Sequence, residues 1–410
     1  MKRRSASRCS LEPWGNWRRS AIVAAVVAAM VPAIGSGTAG AASASAKAPK
    51  PGHWTQVTTA GLENITDIGL ARGPNGVLHV VWASGRNPSM SIMDTPIAAN
   101  GTVGKPVAIV KRVNQVTFPD ATISGRTLHA FWNQAPNSGS TGEGTAEATW
   151  PAGGKHWNAG VGVTTAVNNN WDFGVSADTG ADGQPWVAFV TGGGFEVLHY
   201  GHAERLISVS GCCVYNPGIG VDDRTSAAWL TWFSNVTNHV GVYAQQLKQN
   251  GTKVGGPIRL PGSNAGGDAI AVNSRTTATG LGHGLAGVYA TYISGWPTTK
   301  HVYLIRLGAK KPVTISTLTN TSGSKLTADP FGRLWVAWYR AIIDQSELFV
   351  RRAASGASKF GKTVKVPLPK GTSTLWKVYI NAQAKRLDVL ALITVHGKLA
   401  YWSTQVLPPK

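Results

Sequence analysis

Residues Leu326–Arg340 read LTADPFGRLWVAWYR, which is the pattern of a β-hairpin. Leu326 and Ala328 alternate with polar neighbours, as expected for a strand with one buried face. The segment Asp329–Gly332 carries residues that favour a tight turn, and an aromatic-rich apolar run follows it. The stretch therefore predicts two antiparallel strands joined by a short turn.

The same hairpin pattern recurs along the chain with a mean spacing of about 51 residues. A strand hairpin repeated at that period is typical of a β-propeller or a kelch-like array. The hairpins are Asp67–Ser84, Asp120–Gln134, Asp172–Gly192, Asn216–Asn235, Asp268–Gly295, Leu326–Arg340 and Val378–Gly397. Their second strands align on Trp82, Trp132, Phe189, Trp232, Tyr292, Trp338 and Ala391. We expect the six aromatic residues among them to pack between blades as core, whereas Ala391 aligns weakly.

Each hairpin is followed by further strand-like segments, so the predicted unit has four strands. After the first hairpin these are Met90–Asp94 and Lys105–Val110. The seventh unit ends with Leu399–Val406 and lacks a fourth strand, whereas His53–Thr59 resembles the other fourth strands. The predicted fold is therefore all-β: a seven-bladed β-propeller of four-stranded blades over residues 53–410, its ring closed by an N-terminal strand that hides open sheet edges.

The N-terminus has the three parts of a secretory signal peptide. A basic leader precedes the apolar run Ala21–Ile34, and small residues with A-x-A cleavage candidates follow it. We interpret residues 1–46 as signal peptide and 47–52 as linker, with a membrane anchor as the alternative. The run is short for a membrane span. The mature protein is therefore expected to be extracellular, to lack a membrane span and to associate with the cell wall or the medium.

Charge indicates the class of partner. The chain has 39 Lys and Arg against 19 Asp and Glu, and without residues 1–46 the net charge is +15. Such a protein favours anionic surfaces, so a glycan or an anionic wall polymer is the expected partner. The alternative is a basic secreted protein with no dedicated anionic partner. The basic residues are scattered along the sequence and accompany no nucleic-acid motif, so no nucleic-acid partner is expected. A monomer is expected.

Cysteine placement suggests one unusual bond. Beyond the leader the chain keeps Cys212 and Cys213, which are adjacent. In an oxidising compartment they can pair with each other, pair with another chain or stay reduced. Adjacent Cα atoms lie about 3.8 Å apart, below the usual disulfide range, so a bridge between them is strained. We predict a vicinal disulfide in a loop.

Candidate ligand-binding aromatics lie in the predicted loops that join one blade to the next and the second strand to the third. An aromatic precedes the first strand in four units, and Trp296 belongs to the other loop set on the same face. Aromatic rings next to amides suit stacking against sugars, and loops on rigid scaffolds carry binding function. The alternative is that these rings fill gaps between blades. The residues are Phe118, Trp171, Tyr215, Trp296 and Trp376.

A second candidate set is a ring of polar residues at the entry of the first strands. Asp67, Asp120, Asp172 and Asp268 align there, with Asn216 at the fourth copy. One interpretation is structural, because Asp at a strand entry accepts hydrogen bonds from loop amides. The other is a ring that holds a ligand hydroxyl or a cation such as calcium. No other cofactor is expected. If the protein is an enzyme, Asp120 and Asp172 are the candidate catalytic carboxylates.

The turns between third and fourth strands carry a family resemblance. They read ANGTVGKPVAIV at Ala99–Val110, QNGTKVGGPIRL at Gln249–Leu260 and SGASKFGKTVKV at Ser355–Val366. In this layout the chain resembles the sialidase-like, Asp-box β-propellers, and it is also similar to seven-bladed sugar-binding lectin propellers. The resemblance implies a propeller with a glycan-related function.

Three functions are thus carried forward. The first is a secreted, non-catalytic propeller that binds a glycan or cell-wall polymer through its loop face. The alternatives are a sialidase-like glycoside hydrolase with paired Asp residues and a protein-interaction scaffold.

Overall fold

The structure is a computed structural model, and its described residues form 28 strands. Within the described residues every helix or strand element is a strand, and no helix long and apolar enough to cross a membrane is found there. The described residues are 51–58, 67–86, 89–113, 116–134, 144–162, 173–191, 194–202, 205–208, 217–222, 224–234, 239–263, 277–280, 287–294, 299–355, 357 and 359–408.

The strands form seven four-stranded antiparallel sheets, which are the blades of a propeller. Blade 1 contains β2 (Gly69–Arg72), β3 (Leu78–Arg86), β4 (Ser89–Ile97) and β5 (Val107–Val113). Blade 2 contains β6 (Val116–Ser124), β7 (Thr127–Gln134), β8 (Gly144–Trp150) and β9 (Asn158–Gly162). Blade 3 contains β10 (Phe173–Thr179), β11 (Pro185–Thr191), β12 (Gly194–His199) and β13 (Arg205–Ser208).

The remaining blades repeat the order. Blade 4 contains β14 (Gly218–Val221), β15 (Ala228–Ser234), β16 (Gly241–Leu247) and β17 (Lys253–Arg259). Blade 5 contains β18 (Thr277–Gly280), β19 (Val288–Ser294), β20 (His301–Arg306) and β21 (Val313–Ser316). Blade 6 contains β22 (Gly323–Ala328), β23 (Arg333–Arg340), β24 (Glu347–Ser355) and β25 (Val364–Val366). Blade 7 contains β26 (Thr372–Ala382), β27 (Leu387–Val395), β28 (Lys398–Val406) and β1 (Thr55–Gln56).

The outermost strand of blade 7 comes from the other end of the chain. Strand β1 pairs antiparallel with β28, with Thr55 opposite Ser403 and Gln56 opposite Trp402. Two backbone hydrogen bonds extend the pairing, from Gly52 N to Gln405 O at 3.0 Å and from Val57 N to Tyr401 O at 2.8 Å. The paired segment lies inside the predicted strand His53–Thr59 and is shorter than predicted.

Antiparallel order gives the propeller two distinct ends. First and third strands run in one direction, so the turns that follow them lie at one end, which we call the turn face. Connections from second to third strands and from blade to blade lie at the other end, the loop face. The hairpin turn Asp329–Gly332 lies on the turn face, closed by a hydrogen bond from Gly332 N to Asp329 O at 2.8 Å.

The core consists of seven apolar clusters, one between each pair of neighbouring blades. First strands of consecutive blades contact one another around the ring, and β26 meets β2. The predicted inter-blade residues are confirmed, because each belongs to a different cluster and none is more than 3% exposed. They are Trp82, Trp132, Phe189, Trp232, Tyr292 and Trp338, and the weakly aligned Ala391 lies in the remaining cluster.

Candidate functional site

The first strands surround a central cavity of about 900 Å³. Its lining comes from the first strands of blades 1, 2, 3, 4, 6 and 7 and includes Asp67, Asp120, Asp178, Lys325 and Tyr379. A cavity of this size, with a few polar groups on a rigid wall, has the dimensions of a small-ligand site.

Strand pairing corrects the predicted common register of the aspartates. Asp120 lies opposite Phe131, whereas Gly69, rather than Asp67, takes the matching place opposite Val81 in blade 1. The cause is the hairpin turn, which has two residues between the paired Ser124 and Thr127 in blade 2 but five between the paired Arg72 and Leu78 in blade 1. Asp67 and Asp120 therefore lie at different heights in the channel.

The level of Asp120 contains a mixed set of side chains that the sequence comparison did not group. Each of these residues pairs with the residue just before the aligned core position of its blade, which is the signal that identifies them. They are Gly69, Asp120, Ser176, Gly218, Lys325 and Tyr379. At this level the ammonium of Lys325 lies 4.5 Å from the ring centroid of Tyr379, a cation–π contact.

The carboxylate of Asp120 is bound by backbone amides. Oδ1 accepts from Ala121 N, and Oδ2 accepts from Ala177 N in blade 3, both at 2.8 Å. Burial raises the pKa of Asp120 to about 6, because the loss of hydration outweighs these hydrogen bonds and the charge of Lys325. This arrangement fits the structural interpretation of the ring and also leaves a carboxyl that titrates near neutral pH.

Two further aspartates that sequence reasoning missed join blades in the same way. Asp178 Oδ2 accepts from Val221 N of blade 4 at 2.9 Å. Asp222 Oδ2 accepts from Gly287 N of blade 5 at 3.0 Å. Ala177 and Val221 lie in first strands, whose inner-edge amides their own sheet leaves unpaired, and Gly287 directly precedes the second strand of blade 5; in each case a carboxylate from the preceding blade accepts from the amide.

Asp67 has a different environment at the junction of blades 1 and 7. Its Oδ1 is 2.6 Å from Lys377 Nζ and accepts a hydrogen bond from Tyr379 OH at 2.5 Å. Asp67 and Lys377 are both buried, at 8% and 7% exposure, so the pair is an internal ion pair that links the first and last blades. Its charge is thus balanced within the protein.

Trp376 is the one predicted aromatic whose side chain the described residues include. It is the extra residue of a bulge in β26, between Leu375 opposite Ile393 and Lys377 opposite Leu392. The bulge turns its indole outward to 38% exposure, while Leu375 and Lys377 stay buried. Trp376 Nε1 donates to Thr394 Oγ1 at 2.9 Å.

A neighbouring loop adds to this exposed surface on the loop face. Ile343 is 73% exposed. Its loop is tied to the start of β26, because Asp344 N donates to Ser373 O at 2.8 Å and Leu375 N donates to Ser346 Oγ at 3.0 Å. We call Ile343 and Trp376 together the Trp376 patch.

The other predicted site residues fall outside the described part of the chain or lack a described side chain. Phe118 lies in β6, and nothing is stated of its ring. Outside the described residues are Trp171, Asp172, Cys212, Cys213, Tyr215, Asn216, Asp268 and Trp296. The catalytic pair Asp120–Asp172, the vicinal disulfide and the full loop-face ring therefore remain predictions. Among the described residues no group of three or more His, Cys, Asp or Glu could hold a metal ion, and the calcium hypothesis also remains a prediction.

Comparisons with known proteins find similarity in structure. No family model matches the chain, and no curated protein matches it. The polysaccharide lyase Uly1 matches at 10% identity and TM-score 0.45, covering 86% of this chain and 92% of the lyase. AofleA from Arthrobotrys oligospora matches at 12% identity and TM-score 0.46, covering 76% and 89%. Trypanosoma rangeli sialidase, in complex with sialic acid, matches at 10% identity and TM-score 0.45, covering 81% and 59%.

The Asp-box assignment of the turns between third and fourth strands remains a prediction. What the matched proteins bind or cleave is a property of those proteins, and the site of this chain is argued from its own residues.

Proposed function

We propose that this protein is a secreted, non-catalytic β-propeller that binds a glycan or cell-wall polymer at its loop face. The observation that carries the proposal is the exposure of Trp376 at 38%, in a strand whose adjacent side chains are buried. An exposed indole leaves apolar surface in contact with water, which is unfavourable, and a bound ligand would cover that surface. Bulges are common next to binding sites for this reason.

The chemistry of the patch suits a sugar ring. The C–H groups of a pyranose pack on an aromatic face, and burial of the two surfaces from water supplies the attraction. The hydrogen bond from Trp376 Nε1 to Thr394 restricts the indole before binding, which reduces the entropy cost of complex formation.

Binding to a panel of soluble and insoluble polysaccharides tests the proposal. Trp376→Ala is expected to weaken binding roughly tenfold or more, as for an aromatic anchor at the centre of an interface. Phe331→Ala is the matched control, because Phe331 is 59% exposed but lies on the turn face. Equal effects of the two substitutions, or no binding by the wild type to any polysaccharide, would refute the loop-face site.

A glycoside hydrolase is the second candidate. The observation that favours it is the raised pKa of Asp120, about 6, in the wall of the central cavity. A carboxyl with such a pKa suits general acid catalysis near neutral pH. Its proposed partner is Asp172. Asp120→Asn and Asp172→Asn should each abolish turnover of any glycoside the wild type cleaves, and turnover that survives both changes excludes this candidate.

A further inference from the structure

We propose a second binding surface on the turn face, formed by six lysines on blades 4 to 6 and suited to a linear polymer with closely spaced anionic groups. We call it the lysine arc. It consists of Lys248, Lys253, Lys310, Lys311, Lys359 and Lys362. It uses the other end of the propeller from the Trp376 patch and does not rest on the proposed function.

The fold gathers residues that the sequence scatters. In three consecutive blades two lysines lie within or at the ends of the turn from the third to the fourth strand, and those turns share one end of the propeller. All six side chains are exposed. The three pairs of lysines are about one blade repeat apart in the sequence, so they come together on one face only when the protein folds.

The turns hold these lysines on ordered backbone. In blade 4, Lys248 N donates to Thr252 O and Gly251 N donates to Lys248 O, both at 2.8 Å. In blade 6, Ala354 N donates to Lys359 O at 2.7 Å. In blade 5, Ala309 N donates to Arg306 O at 2.9 Å beside Lys310. Binding therefore orders lysine side chains without first ordering the loops that carry them.

Few described carboxylates neutralise the arc. Residues 239–263, 287–294 and 299–316 contain no Asp or Glu. In blade 6, Glu347 lies at the loop-face end of β24 and pairs with Arg340 at 2.9 Å and Lys365 at 2.7 Å.

The described carboxylates of the turn face near the arc have partners of their own. Asp182 contacts His199 Nε2 at 3.0 Å and Gln249 Nε2 at 3.2 Å, Asp222 accepts from Gly287 N at 3.0 Å, and buried Asp329 pairs with Arg333 at 2.7 Å. Asp182 thus lies beside the blade 4 turn, and the six lysines leave the arc with a net positive charge, which concentrates anionic polymer near it.

The chemistry favours an anionic carbohydrate or phosphate polymer over nucleic acid. Single-stranded nucleic acids gain much of their affinity by stacking bases on aromatic side chains. The exposed large aromatic of the described turn face is Phe331, and the guanidinium of Arg333 lies 4.9 Å from the centroid of its ring. Ammonium groups recognise closely spaced anions without such stacking.

The test compares two triple variants that change net charge equally. Lys253→Glu, Lys310→Glu and Lys359→Glu remove charge from the arc. Lys111→Glu, Lys300→Glu and Lys398→Glu remove the same charge from exposed lysines near the loop face. Binding to polyphosphate, polygalacturonate, neutral dextran and oligothymidine is measured by titration at several salt concentrations. Circular dichroism checks the fold, and a Lys→Gln version of the arc triple replaces the Glu version if that variant misfolds.

The wild type is expected to bind polyphosphate, polygalacturonate or both, with an affinity that falls as the salt concentration rises. It is expected not to bind dextran. The arc triple should lose roughly 100-fold in affinity at low salt, since each surface lysine contributes about a fivefold factor. The loop-face triple should lose less than about fivefold. Tighter binding of polyphosphate indicates that the arc recognises phosphate groups, and tighter binding of polygalacturonate indicates that it recognises carboxylates.

Three results overturn the proposal. The wild type fails to bind both anionic polymers at low salt, the two triples lose affinity equally, or oligothymidine binds more tightly than either polymer. Trp376→Ala should leave polyanion binding unchanged, so a failure of this proposal is distinguishable from a failure of the loop-face site.

Discussion

The carboxylate of Asp120 in blade 2 accepts a hydrogen bond from the amide of Ala177 in blade 3, with an N···O distance of 2.8 Å. The same relationship joins Asp178 to Val221 and Asp222 to Gly287 in the next blades. Acidic residues near the channel therefore act as links between blades. A substitution there therefore changes stability as well as any ligand chemistry.

Asp120 should give the protein a distinctive pH dependence. Its folded pKa of about 6 lies above the ordinary value of 3.8, so the folded state binds the extra proton. The contribution to stability is present below about pH 4 and is lost as pH rises through 6, by at most about 3 kcal/mol. Asp120→Asn should lack this loss but carry a constant cost of about 1–3 kcal/mol, because Asn accepts from one amide fewer.

The measurement is urea unfolding of wild type and variant between pH 4 and 7. Glu347→Gln is the control of opposite sign, since the hydrogen bond from Lys365 and the contact with Arg340 lower the pKa of Glu347. The free energies of unfolding of the wild type and Glu347→Gln should diverge towards high pH, where the wild type is the more stable of the two. A difference between wild type and Asp120→Asn that does not vary with pH contradicts the raised pKa.

Gly69 should tolerate no side chain. A Cβ at this position would lie 2.5 Å from the carbonyl carbon of Asp120 and 2.7 Å from Ala121 N, both backbone atoms of the next blade. Gly69→Ala should therefore cost about 2 kcal/mol or more through a shift of β2 against β6. Gly256→Ala is the control, because nothing lies within 4 Å of its Cβ. Thermal unfolding of both variants checks this, and similar melting temperatures would show that the two strands separate freely.

The buried pair Asp67–Lys377 should behave as a coupled unit. Asp67→Asn or Lys377→Met alone leaves a buried charge without its partner and should cost about 3 kcal/mol. The double variant should recover part of that loss, which a double-mutant cycle measures as coupling. The exposed pair Glu347–Lys365, with the Lys365 side chain 63% exposed, should show coupling below about 1 kcal/mol. Additive losses at Asp67 and Lys377 would contradict the internal ion pair.

We predict that the N-terminal strand β1 stabilises the closed ring of blades by completing blade 7. Trp54, next to β1, donates from Nε1 to Pro367 O at 2.6 Å and is buried among residues of blades 6 and 7. Trp54→Ala should cost about 3 kcal/mol in denaturant unfolding. The same change at exposed Trp376 should cost less than about 1 kcal/mol. Equal costs would mean that the segment before β2 is not needed for closure.

The cysteines give a prediction outside the described residues. If Cys212 and Cys213 form the vicinal disulfide, intact mass without reductant lies about two mass units below the reduced value. Alkylation under denaturing conditions should then label neither thiol until reductant is added. Two labelled thiols without reductant contradict the bond.

Parts of the candidate site could be predicted from sequence, and the failures have specific causes. The sequence predicts Trp376 in a loop before a first strand, whereas it lies within β26, and its exposure depends on a bulge that no residue pattern indicates. Lys325 and Tyr379 were missed at the level of Asp120, because the hairpin turns of the three blades differ in length and equal spacing along the sequence therefore does not mean an equal level. Asp178 and Asp222 were missed because their partners are backbone amides of other blades, which carry no sequence signal.

The sequence by itself determined the architecture: the repeat of hairpins, the seven blades and the aromatic positions buried between them. Those features follow from hydrophobic alternation and turn residues, which act over short stretches of chain. The tertiary structure alone decided which residues share a level of the channel, which charges pair across blades and which lysines meet on the turn face. Such relationships depend on bulges and on contacts between strands distant in sequence, where one added residue changes every neighbour that follows.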